Sequence, residues 1–139
     1  MENDELLAAV LLGAAAGLRT FTPAATLAAR GRLSLDANLR NTIVIAAAGE
    51  LITDKLPWTP ARTATLPSLG RIGSGAFCGW TVAGRRGALA GAAAAAASTQ
   101  IGFRVRRAAA KRTSKLRAAL LEDAVAIGVA NLATVVTPA

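Results

Sequence analysis

The chain has 139 residues, 53% of them hydrophobic, with a mean hydropathy of +0.44 and a formal charge of +8. So apolar a single domain points to lipid as part of its solvent, and its small side chains, with three Phe, two Trp and no Tyr, suit close helix approach in a bilayer better than a dense aqueous core. The absence of His excludes His-based triads and ordinary zinc sites, the lone Cys78 excludes an intramolecular disulfide, and the basic run from Arg104 to Arg117 carries no nucleic-acid-reading motif.

The N-terminus places Glu2, Asp4 and Glu5 ahead of the first apolar run, where a secretory signal would carry Lys or Arg, so it is expected to be retained. Residues 6–29 form a segment of spanning length interrupted by Arg19 and Pro23. An unpaired Arg19 in such a segment would cost from about 2.5 to more than 10 kcal/mol, so it must face the interior and meet a carboxylate. Glu50 is the first candidate, with Glu122 and Asp123 next. Thr20, Thr22 and Thr26 flank Pro23 and can satisfy the backbone that proline frees.

A polar connector with Arg30, Arg32 and Arg40 leads to the apolar run 42–53, about half a bilayer long. It continues as GELITDKLPWTPART, in which Glu50 and Asp54 share one helix face while Lys55 points roughly 100° away. Two carboxylates so placed in a low-dielectric setting call for a cation or a proton between them. Pro57, Pro60 and Pro67 argue against regular helix over 56–71, so an interruption spanning 49–71 is expected, and Trp58 suits a membrane interface.

Residues 72–84 and 87–103 read as two Gly/Ala-rich helices joined at Gly84-Arg85-Arg86-Gly87, with a polar patch at Ser98, Thr99 and Gln100. A basic loop follows over 104–117, and a last full-length apolar segment, 118–137, carries Glu122 and Asp123 near its start. GxxxG spacings at Gly13/Gly17, Gly75/Gly79 and Gly87/Gly91 mark faces where helices can cross closely.

These segments predict an all-α, polytopic transmembrane helical bundle forming one membrane domain over 1–139, with four or five apolar segments, one short and either re-entrant or broken. If the run near 42–55 enters and returns on one side, the basic 30–40 and 104–117 loops are both cytoplasmic, leaving the N-terminus, the GRRG turn and the C-terminus outside.

The stretches GLRTFTP at 17–23, GELITDKLPWTPART from 49, SGAFCG at 74–79 and LLEDAVAIG at 120–128 together resemble a family of small bacterial integral membrane proteins known as domain of unknown function 4126. Asp54 to Thr63 is the most specific part of the match. The resemblance implies a polytopic membrane protein and supplies no activity.

The expected function is a transporter or channel-like protein for a small ion or solute, multi-pass in the bacterial inner membrane and homo-oligomeric. Arg19, Glu50, Asp54, Lys55, Glu122 and Asp123 are its candidate polar site, with no metal centre. The alternative is a non-catalytic helical subunit of a larger membrane complex, or a lipid-binding membrane protein. No nucleophile and base pairing recommends an enzyme, and the partners expected are the lipid bilayer and other copies or membrane proteins, without nucleic acid.

Overall fold

The computed structural model describes residues 2–53 and 65–136, which form five helical elements: α1 (Glu2–Leu18), α2 (Thr22–Ala29), α3 (Ala37–Thr53), α4 (Thr65–Ala109) and α5 (Lys115–Val136). Asp54, Lys55, Pro57, Trp58 and Pro60 lie outside the described residues.

The helix boundaries follow local chemistry. Pro23 has no N–H, and its ring would clash with the carbonyl of Arg19 in a continuous helix, and the chain breaks between α1 and α2 ahead of it. α2 ends where Gly31 takes a positive φ of 68°. There the Arg32 N–H reaches Leu27 and the Gly31 N–H reaches Ala28, the paired bonds of a Schellman motif. The Asp36 carboxylate accepts the Leu39 N–H at 2.8 Å and starts α3 four residues after Leu33 closes the turn, well before the apolar run begins. Pro67 is no obstacle to α4, because the first turn of a helix does not use its N–H. Ser114 accepts the Arg117 N–H and caps α5.

α4 is two arms, 65–82 and 85–109, reversing at Ala83 (φ −134°, ψ 25°) and Gly84 (φ 56°, ψ −144°), the latter a conformation open to glycine. Behind this turn the arms are in backbone contact. A Cβ at Gly79 would overlap the Gly87 carbonyl, and one at Gly75 would meet the Gly91 carbonyl at 2.6 Å and the Ala95 Cβ at 2.7 Å. Gly91 also faces α1, where a Cβ on Gly13 would strike its backbone. Gly17 lies one turn further on, against Ala95, Ser98 and Thr99. All six GxxxG glycines therefore sit where three helices pass at backbone distance, with Gly91 at their junction.

α1 runs parallel to the second arm. Glu2 pairs with Arg86 near the turn, Gly13 meets Gly91, and Leu18 reaches Gly102. α5 runs the opposite way, with Asp123 at the end of α1. α2 then folds back along α5, since Arg30 donates to the Asn131 side chain at 3.2 Å and Arg32 to the Thr134 carbonyl at 3.0 Å. Ala8, Leu12, Ala24, Leu27, Cys78 and Ala133 form the core layer this arrangement creates. α3 packs mainly on α2 and has no buried residue.

This corrects the expected membrane topology. Among the described residues only α5 is long and apolar enough to cross a membrane, so the structure is an all-α bundle but not one of four or five spans. α1 and α3 have 17 residues each. The second arm dilutes its apolar character with Gly, Ser98, Thr99 and Gln100. Of the interruption expected over 49–71, residues 49–53 and 65–71 are helical and residues 54–64 lie outside the described residues. The 6–29 segment breaks and turns back, and the 42–53 run is part of one continuous helix. As a result the 30–40 connector sits at the GRRG end of the bundle, opposite the 104–117 run. The sequence of 6–29 predicts one apolar segment of spanning length interrupted at Arg19 and Pro23, whereas Pro23 lies in the first turn of a second helix of reversed direction. The basic run is not wholly loop either, as α4 stays helical through Arg104, Arg106 and Arg107.

The interior is built from small residues and the surface from large ones. Ala8, Ala9, Ala15, Ala16, Ala95, Ala126 and Ala130 have no exposure, whereas Ile45 is 70% exposed, Leu89 68% and Val135 67%.

Candidate functional site

Between α1 and α2 three residues, Arg19, Thr20 and Phe21, leave the helical path, and side chains from three neighbouring segments receive their backbone. The Glu50 carboxylate of α3 accepts the Thr20 N–H at 2.7 Å through Oε1 and the Phe21 N–H at 2.9 Å through Oε2. The Ser74 hydroxyl, on the first arm of α4, donates to the Thr20 carbonyl at 2.5 Å. Just before the break, the Thr99 hydroxyl of the second arm shares its single proton between the Gly17 carbonyl at 3.1 Å and the Ala95 carbonyl of its own helix at 2.8 Å. Polar groups freed by the break are thus met inside the protein, as a low-dielectric setting demands. Thr26 serves α2 itself, its hydroxyl donating to the Thr22 carbonyl.

Arg19 points inward from this break, has no exposure, and pairs with Asp123 of α5. The adjacent Glu122 pairs with Arg106 of the second arm at 3.4 Å, its side chain 8% exposed. Two neighbouring acids therefore tie α5 to α1 and to α4. Of the three carboxylates anticipated for Arg19, Asp123 pairs with it. Glu50 holds backbone N–H groups instead, and Asp54 and Lys55 fall outside the described residues. Two further arginines lie among these groups, Arg106 on the second arm and Arg71, buried on the first arm.

Arg71 and Ser74 carried a sequence signal, a basic residue and a hydroxyl one turn apart at the head of an apolar run. The contact of Glu50 with backbone has no counterpart in any pairing of charges. Among the described residues, no group of three or more acids or thiols gathers as a metal would require.

A groove of about 340 Å³ adjoins the break. Its walls are α2, α3 and α5, with Thr22, Thr26, Val44, Leu51 and Ile127 along it and the Arg30–Asn131 contact at the far end. The α3 wall contributes no fully buried residue; it meets the break through Glu50 and the core layer through the partly buried Ile43.

No protein-family model matches the chain, and no curated protein or solved structure matches it.

Proposed function

We propose that the protein is a small integral membrane protein of the transporter or channel class, which passes a small ion or solute along the α2/α3/α5 groove with Glu50 as its exchangeable group. The observation carrying this reading is the Glu50 carboxylate bridging a lightly packed helix to the N–H groups of a broken one, beside the buried Arg19–Asp123 pair. Broken helices that expose N–H groups are how membrane carriers build ion and solute sites. Protonating either Glu50 oxygen, or drawing the carboxylate onto a cation, removes an acceptor from Thr20 or Phe21 and frees α3 to move.

Large side chains facing outward around an alanine and glycine interior support the membrane setting, since lipid imposes no penalty on exposed Ile, Leu and Val. The reading needs only α5 as a span. We extend it to an inner-membrane location, to a homo-oligomer, and to membership of the family of domain of unknown function 4126, on the sequence motifs quoted above. The test is flux of protons and monovalent cations into proteoliposomes. Rates equal to those of empty liposomes across several gradients would remove the reading.

A second reading, a non-catalytic helical subunit, is favoured by the exposed Ile45 and Ile52 of α3. Stoichiometric co-purification of one membrane protein in mild detergent, lost when Ile45 and Ile52 become Ser, would support it over transport.

A further inference from the structure

The bundle end opposite the GRRG turn carries a second concave feature that the proposed transport does not use. Arg104, Arg107 and Ala108 lie at the end of the second arm, and Lys111 and Arg112 in the turn that follows it. They line a groove of about 360 Å³. The helix period brings i, i+3 and i+4 onto one face, which aligns Arg104, Arg107 and Ala108, and the turn after the helix brings Lys111 and Arg112 into the same lining. No Asp or Glu occurs between 103 and 121, and the nearest acids, Glu122 and Asp123, are engaged with Arg106 and Arg19. The field at this groove is therefore uncompensated by neighbouring sequence.

Exposed apolar side chains lie close to it in sequence on both helices. Ile101 and Val105 are each 60% exposed on the second arm, and Leu116 and Leu120 are 56% and 51% exposed at the start of α5. A ligand suited to this surface carries a negative headgroup with hydrocarbon attached. Basic clusters where membrane helices end are suited to anionic lipid, because headgroup charge and acyl chain are satisfied at adjacent depths.

We propose that the groove of Arg104, Arg107, Lys111 and Arg112 is a binding site for the phosphate-bearing headgroup of an anionic phospholipid, whose acyl chains lie on Val105, Leu116 and Leu120. The proposal rests on the membrane setting of the reading above but not on transport. It also orients the protein, because anionic lipid at this end places Lys115 of α5 on the cytoplasmic face.

The test is native mass spectrometry of the full chain in detergent with phosphatidylglycerol or phosphatidylcholine added at equal concentration. Phosphatidylglycerol adducts should exceed phosphatidylcholine adducts by about tenfold. The triple variant Arg107→Gln/Lys111→Gln/Arg112→Gln should lose that preference. Arg85→Gln/Arg86→Gln, which removes charge at the far end of the same arm, should keep it, separating a located site from general charge. Equal adducts of both lipids on the wild type, or a triple variant that retains the preference, overturns the site. Displacement of phosphatidylglycerol by 10 mM inorganic phosphate alone also overturns it, showing an anion site indifferent to lipid. A chain that stays monodisperse without detergent and takes up neither lipid would instead defeat the membrane setting itself.

Discussion

Glu50 and Thr20 lie 30 residues apart, and the carboxylate of one accepts the backbone N–H of the other at 2.7 Å. With the Phe21 N–H on the second oxygen, the carboxylate does for the start of α2 what a capping side chain does from within a helix, except that it arrives from a separate helix. This contact adds to the packing of α3 on α2 and of its Ile43 against the core layer, and α3 has no fully buried residue.

The Arg19–Asp123 pair should dominate stability. Asp123→Ala leaves a buried guanidinium without its carboxylate and should cost about 3–5 kcal/mol, seen as a large fall in the detergent melting temperature. Arg19→Met/Asp123→Leu should recover most of that loss. If Asp123→Ala melts with the wild type, the pair is not holding α5 to α1.

Glycine substitutions should separate sharply by position. Gly91→Ala forces a Cβ onto the Gly75 backbone at the three-helix junction and should destabilise by about 1–3 kcal/mol. Gly128→Ala, with nothing within 4 Å of the added carbon, should be neutral or stabilise α5 by up to about 1 kcal/mol. Thermal melts of the two variants side by side decide the matter, and equal losses would contradict the junction.

Cys78 has no exposure and belongs to the core layer with Ala8 and Leu27. A maleimide should leave it unmodified in the folded protein and label it fully after denaturation. Labelling at comparable rates in both states would mean that the first arm of α4 does not pack as described.

Much of this was legible in the residues. Gly84 and Gly87 around two arginines mark a reversal, and Arg19 in an apolar run demands a carboxylate, which Asp123 supplies. The direction of α2 was not legible, because a proline after a polar residue is equally compatible with a kinked helix and with the start of a new one. That ambiguity carried the 30–40 connector to the wrong end. Nor could side-chain charges reveal the task of Glu50, since its partners are N–H groups that every residue but proline possesses and only the break exposes.

The ends of the bundle can be assigned chemically. With Cys78→Ser as background, Ser34→Cys and Thr113→Cys should react with a membrane-impermeant thiol reagent from opposite sides, as the exposed positions flank opposite ends of α5. Labelling of both from one side would restore the arrangement in which the two basic stretches share a face.

The most direct test of the transport reading is flux through Glu50. Proton and monovalent cation entry should be compared for wild type, Glu50→Gln and empty liposomes at matched protein density, with folding verified by circular dichroism. The account predicts wild-type flux well above empty liposomes and a Glu50→Gln rate at least about tenfold lower, because the amide neither exchanges a proton nor attracts a cation. Wild-type flux at the level of empty liposomes, or a Glu50→Gln rate equal to wild type, would contradict it.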